Sequence, residues 1–190
     1  MKRWYLMRHG QTDYNCRRCF YGSHDVSING QGQADAKQLA LLMQEYAVDA
    51  IYTSSLTRTQ ETARLAFPER KVQPIADFDE RGFGQWEGLT ADEIEAAFPE
   101  VWQAWLEAPF EVTPPEAEVF SDFQTRVWTA TDRLLDSADE SMALVAHLGV
   151  LRLIYQHLVD GEAVFWNIDV PQGRVLLIEE RDQTWQATLL

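Results

Sequence analysis

Two histidines and two arginines stand at the ends of short apolar runs in this 190-residue chain. The run at 4–7 leads straight into Arg8, His9 and Gly10, with Gln11, Thr12 and Asn15 following. The run at 50–52 leads into Ser54, Ser55, Leu56 and Arg58, and the run at 142–146 is followed at once by His147. This set suits phosphoryl transfer. Two guanidinium forks neutralise and orient a phosphoryl group, whose charge is spread over several oxygens during transfer. A neutral imidazole is a competent nucleophile near neutral pH, and adjacent arginine cations hold it neutral. A second histidine can donate to the same oxygens, and Gly10 lets the backbone approach closely. Either histidine alone reads more readily as a satisfied structural residue. Together, at matching positions, they read as a site.

For the four side chains to meet, the runs that carry them must be neighbouring strands. The segments at 4–7, 50–52, 142–146 and 175–178 are continuously apolar, as strands buried on both faces of a parallel sheet are. Between the first two, Ala36, Leu39, Ala40, Met43 and Ala47 recur at helical spacing, and 29–32 supplies start chemistry. Further helices fit 57–65, 121–135 (with Phe123, Val127, Leu134 and Leu135 facing inward) and 150–158. Strands alternating with helices predict an α/β fold, a three-layer α/β/α arrangement with a mostly parallel central sheet, in a single domain over 1–190. In such folds ligands gather at the carboxyl ends of the strands, where the histidines and arginines stand. The segment at 91–118 breaks the alternation. It is acidic and aromatic, contains Pro99, Pro109, Pro114 and Pro115, and reads as an insertion over the sheet edge.

Charge narrows the partners. Thirty acidic against sixteen basic residues give a net charge of −14, which repels nucleic acid and anionic lipid. A phosphate site must therefore be a local positive pocket within a negative envelope. No apolar run approaches a membrane span. Only four apolar residues in a row precede Arg8, too few for a secretory leader, so the expected location is cytoplasmic. Cys16 and Cys19 form a C-x-x-C, but there is no second pair and only His24 nearby. An inert structural role outweighs a redox or zinc role.

Five stretches then carry a family resemblance. Residues 6–15, Leu-Met-Arg-His-Gly-Gln-Thr-Asp-Tyr-Asn, resemble the R-H-G-x-T-x-x-N signature of the histidine phosphatase (phosphoglycerate mutase-like) superfamily. Residues 25–32 are similar to its D-x-P-L-T-x-x-G, with Ser27 in place of proline. Residues 54–63 resemble S-x-L-x-R-x-x-x-T-A, 80–88 resemble E-x-x-x-G-x-W-E-G, and 145–152 resemble V-S-H-G-G-V-x-R. The resemblance implies a hydrolase of phosphate monoesters in which His9 is phosphorylated. Arg8, Arg58 and His147 would bind the phosphoryl group with help from Asn15, while Glu80 would protonate the leaving oxygen and then activate water. Glu87 is the competing choice for that carboxylate. No metal and no cofactor are implied. Two departures stand out: Leu148 replaces a glycine and should narrow the pocket or strain φ, and Cys19 replaces an arginine, for which Arg17 or Arg18 would substitute.

The run Phe20-Tyr21-Gly22-Ser23, and Pro114-Pro115 ahead of Glu118 and Phe120, also resemble the α-ribazole phosphatase branch, which adds Tyr21, Gly22 and Leu148 to the expected substrate contacts. The acidic insertion (Glu107, Glu111, Glu116, Glu118, Asp122) disfavours small substrates with extra negative charge. Trp102, Trp105, Phe110 and Phe120 either stack on a flat ring or pack a core. Because the chain stops soon after an apolar terminal segment, little is left to form the lid a mutase uses to exclude water. Hydrolysis is therefore preferred over a phosphoglycerate mutase-type transferase and over a non-catalytic phospho-ligand binding module. The implied partner is a small-molecule phosphate monoester, and a homodimer is one assembly among those left open.

Overall fold

A computed structural model describes residues 2–190. The strands are β1 (Arg3–Arg8), β2 (Ala50–Thr53), β3 (Val72–Pro74), β4 (Ser141–Ala146), β5 (Val175–Arg181) and β6 (Thr184–Leu189). Among the described residues they form one sheet in the order β3-β2-β4-β1-β5-β6. The pairings β1–β4, β2–β4 and β2–β3 are parallel, while β1–β5 and β5–β6 are antiparallel. The sheet is thus mostly parallel, with an antiparallel hairpin added at one side. Strands β3 and β6 lie at the two edges and carry no continuous apolar run, which is why the sequence pattern passes over them.

Helices α1 (Asp13–Arg17), α2 (Gly30–Met43), α3 (Thr57–Ala66), α4 (Ala91–Ala97), α5 (Pro99–Glu107), α6 (Phe120–Leu135) and α7 (Leu148–Leu158) complete the architecture. The alternation along β1 shows the three layers directly. Trp4 and Leu6 join one buried cluster with Phe123 and Val127 of α6 and Val150 and Ile154 of α7. Tyr5 and Met7 join a second with Leu39 and Met43 of α2 and Ala63 and Ala66 of α3. A strand covered on both faces has no polar side, so it reads as an unbroken apolar run. Helix α2 is capped by Asn29, whose side chain accepts from the Gly32 N–H, and it stops at Met43. Ala47 therefore lies exposed beyond the helix rather than on its apolar face, and Val48 is buried instead. None of the described helices is long and apolar enough to cross a membrane.

The insertion forms α4 and α5. Their Ile94, Trp102 and Trp105 bury against Trp86 in a third cluster, into which Phe20 and Phe83 pack. The insertion therefore packs as a unit around this aromatic cluster. It docks on the loop that follows β1, because the Phe20 ring makes edge-on contacts with Trp86, Trp102 and Trp105 at 5.7–5.9 Å. That places an aromatic platform beside the carboxyl ends of the central strands.

Candidate active site

Register brings the chemistry together. Strand β4 lies between β1 and β2, all three parallel, with Arg8 opposite Ala146 and Thr53 opposite Val145. The next residues therefore leave the sheet side by side. The His9 N–H donates to the Ala146 carbonyl at 3.0 Å, and the Ser54 N–H donates to the Val145 carbonyl at 3.3 Å. The His9 and His147 rings stand 5.3 Å apart, centre to centre. Arg8, His9, Asn15, Tyr21, Arg58, Glu80, His147 and Leu148 line one cavity of about 290 Å³. Gly22 does not line it: the Gly22 carbonyl lies behind Arg58 and accepts from its Nη2 at 2.7 Å.

Both histidines are buried and held neutral. Desolvation is the first cause in each case, and the arginine cations add to it. His9 is lowered well below the usual imidazole range by burial, then by Arg58 and Arg8. His147 is lowered by burial, then by Arg58, His9, Arg126 and Arg8. Their hydrogen bonds assign the tautomers. His9 Nδ1 faces the Gly10 carbonyl at 2.8 Å and so carries the proton, leaving the Nε2 lone pair free. Arg58 Nε donates to His147 Nδ1 at 3.3 Å, so His147 Nε2 carries the proton and donates to Ser54 Oγ at 2.8 Å.

Arg58 is fully buried on α3. Its guanidinium donates to the carbonyls of Gly22 and His24 and stacks over the Tyr21 ring at 4.8 Å, so it is aimed before any ligand arrives. Arg8 Nε is buried without a partner, a donor left for a ligand. Asn15 is oriented by a capping box. Its Oδ1 accepts from the Thr12 N–H, from Thr12 Oγ1 and from Gln172 Nε2, at 3.0, 3.2 and 3.2 Å. With its oxygen so engaged, its amide NH₂ is the group left to donate into the cavity. Tyr21 Oη meets Thr12 Oγ1 at 2.8 Å.

The two candidate carboxylates have opposite environments. Burial raises the Glu80 carboxyl above its usual range, against the opposing N–H bonds from Arg81 and Gly149 and the charges of Arg58 and Arg126. It lines the cavity. Burial also pushes Glu87 up, but there the backbone donors Phe83, Gly22, Ser23 and His24 outweigh it and hold the carboxyl below its usual range. Glu87 is an anion that organises the 22–24 loop and does not line the cavity. Two glycines are sterically required around this pair. A Cβ on Gly149 would stand 2.4 Å from Glu80 Oε1, and one on Gly22 would stand 1.6 Å from the Arg81 carbonyl oxygen.

The model of the histidine phosphatase superfamily (branch 1) matches residues 4–190. The chain belongs to this superfamily. A provisionally named phosphoserine phosphatase 2 from Hydrogenobacter thermophilus is 32% identical over 178 residues, covering 92% of this chain and 88% of that protein. The adenosylcobalamin/α-ribazole phosphatase of Escherichia coli is 30% identical over 177 residues, covering 91% and 87%. The crystal structure of the α-ribazole phosphatase from Shigella flexneri superposes with a TM-score of 0.91 at 27% identity, covering 99% of this chain and 95% of that one.

Within this histidine phosphatase pocket the two departures resolve differently. Leu148 opens α7 in ordinary helical backbone, outside the positive-φ residues, so the expected strain does not arise. Leu148 is part of the cavity wall. Cys19 is a buried, free thiol on the wall, and Arg18, in left-handed backbone at φ 56°, stands beside it on the same lining. Arg17 is not on it. Among the described residues, no three His, Cys, Asp or Glu side chains cluster as metal ligands would.

Sequence reasoning missed several supports. Gln172 donates to the His9 carbonyl at 3.2 Å as well as to Asn15. Because β5 runs antiparallel to β1, the turn before β5 arrives at the carboxyl end of β1, and no residue-type pattern announces that. Thr62 Oγ1 accepts from the Gly10 N–H at 2.9 Å. Arg126, on α6, grips Glu118 through Nε and Nη2 at 2.7 and 2.8 Å and donates to the carbonyls of Asp77, Asp79 and Glu80. Glu118 is therefore neutralised structure rather than a repulsive charge facing the substrate.

Proposed function

We propose that the chain is a phosphomonoester hydrolase working through a phosphohistidine on His9, with Arg8, Arg58 and Asn15 as the phosphoryl-binding groups, joined by His147 when its Nε2–H turns from Ser54 Oγ to a phosphoryl oxygen. The carrying observation is the His9 imidazole: neutral, tied by Nδ1 to the Gly10 carbonyl, and free at Nε2 in a cavity lined by arginines and Glu80. The Nε2 lone pair attacks phosphorus while the bond to the leaving oxygen breaks, and the Glu80 proton goes to that oxygen. Glu80, now a carboxylate, takes a proton from water. The water oxygen attacks phosphorus, the P–N bond breaks, and neutral His9 returns with inorganic phosphate. A carboxyl with a raised pKa suits both halves, since it must hold a proton near neutrality and then recover one. No step calls for a metal, because fixed guanidinium donors stabilise the phosphoryl charge.

For the substrate, α-ribazole 5′-phosphate is the leading choice, supported by the names of the E. coli and Shigella relatives. Phosphoserine has the Hydrogenobacter relative in its favour. The test is phosphate release in EDTA from both esters by wild type and His9→Ala, with acid-quench trapping of the phosphoenzyme. Fast release from α-ribazole 5′-phosphate that depends on His9 supports the whole reading. A labelled His9 with little free phosphate points instead to a mutase-type transferase, and an unlabelled His9 to a binding module.

A further inference from the structure

A second cavity adjoins the first. Its volume is about 130 Å³, and Glu80, Phe83 and Leu148 line both. The remaining wall is chiefly aromatic: Trp105, Phe110, Phe120, Phe123, Phe165 and Trp166. Two of these stand at the rim, Phe110 and Trp166, 41% and 48% exposed, and they stack on each other at 5.6 Å with their planes 12° apart. Two large aromatics left in water beside a catalytic cavity are unusual, because most such surface is buried on folding. The insertion supplies Phe110, and a 3-10 turn at Phe165–Asn167, after α7, supplies Trp166.

The wall is not purely apolar. Arg81, only 5% exposed, has a buried Nη2 with no acceptor, and Trp105 Nε1 is likewise buried and unpartnered among the described residues. An unmet buried donor costs free energy that an acceptor on a ligand removes. Arg81 lies 5.6 and 5.5 Å from the Phe83 and Phe120 rings, and Arg152 lies 5.2 and 5.4 Å from Phe165 and Trp166. These cations disfavour a positively charged occupant. On size, an apolar cavity of about 150 Å³ accommodates a benzene ring.

We infer that this cavity holds a flat, uncharged aromatic ring carried by the leaving alcohol of the substrate, with a ring nitrogen or carbonyl accepting from Arg81 or Trp105. The inference rests on the hydrolase reading, since a phosphoryl group at His9 places the leaving alcohol beside Glu80, the residue common to both cavities. Leu148 then acts as the partition between phosphoryl pocket and ring pocket, and the selectivity of the enzyme lies in the aromatic wall rather than in the histidine–arginine set.

The test compares benzyl phosphate with n-butyl phosphate, whose leaving oxygens need protonation alike, so their ratio of kcat/KM reads the ring pocket. Wild type is expected to prefer the benzyl ester at least tenfold, and Trp166→Ala and Phe110→Ala should each bring the ratio towards one without changing inhibition by inorganic phosphate. A wild-type ratio near one, or a ratio that neither variant alters, overturns the inference. If neither ester phosphorylates His9, the hydrolase reading has failed by itself. Benzimidazole binding, followed by tryptophan fluorescence, then decides the cavity: saturable quenching that Phe110→Ala abolishes upholds it, and its absence overturns it.

Discussion

Replacing Glu80 by glutamine separates the two halves of the proposed reaction. Glu80 Oε1 and Oε2 accept from the Arg81 and Gly149 N–H groups at 3.0 and 3.1 Å, so an amide keeps one bond and turns its NH₂ against the other donor. One unmet buried donor costs about 1–3 kcal/mol of stability, a loss that leaves most small domains folded. The chemical loss is larger. General acid–base catalysis contributes about 10²–10⁴-fold, or roughly 3–5 kcal/mol of barrier. For an alkyl phosphate both steps need Glu80, so turnover of Glu80→Gln should fall by about that factor with no burst. For p-nitrophenyl phosphate the leaving oxygen needs no proton, so His9 should still be phosphorylated quickly while hydrolysis of the phosphohistidine stalls. Stopped-flow absorbance should then show close to one nitrophenolate released per enzyme, followed by a slow steady state. Equal slowing on both substrates without a burst, or wild-type turnover on the alkyl ester, would refute the dual role. With wild type, the alkyl ester rate should fall as pH rises through the raised Glu80 pKa, because the acid form is lost there.

Three further outcomes follow from the geometry. His9 and His147 resist protonation when folded but take protons when unfolded, so stability should drop as pH falls below about 6.5, by up to ~1.4 kcal/mol per pH unit for each histidine. Glu80, with its raised pKa, works the other way, so the difference between wild type and His9→Gln in urea unfolding at pH 7 and pH 5.5 isolates one histidine. Parallel curves would count against its neutral burial. Asn15→Asp keeps the oxygen that caps α1 but puts an anion where an amide donated. Thermal stability should hold while inhibition by inorganic phosphate weakens tenfold to a hundredfold, from about 1.5–3 kcal/mol for a hydrogen bond to a charged group, and an unchanged inhibition constant would remove Asn15 from the phosphoryl site. Gly22→Ala drives a methyl into the Arg81 carbonyl and displaces the carbonyl that aims Arg58. A misplacement of about 1 Å can cost 10²-fold, so kcat/KM should fall about a hundredfold, and near-normal kinetics would show that Arg58 does not depend on that loop.

The central strands and the chemistry of the site were legible because both are written locally. A strand covered on two faces must be apolar throughout, so the runs at 4–7 and 142–146 declare themselves, and the residues just beyond them include His9 and His147. The same locality explains the misses. Edge strands β3 and β6 face water and carry no such run, and Ala47 continues a spacing that the helix itself does not continue.

What the sequence determined alone was the inventory: an α/β chain with two histidines, two arginines and a carboxylate in an order that matches the histidine phosphatase superfamily. Tertiary structure decided the rest. Pairing of Arg8 with Ala146 and of Thr53 with Val145 makes three strand ends one site. Hydrogen bonds across the fold fix the His147 ring between Arg58 and Ser54, leave Glu80 rather than Glu87 facing the cavity, and bring Gln172 to His9 across 163 positions of chain. Such choices depend on distances between elements, which side-chain periodicity within an element cannot encode. The aromatic wall beside Leu148 is the clearest instance: its residues come from separate segments and become a pocket only where those segments meet.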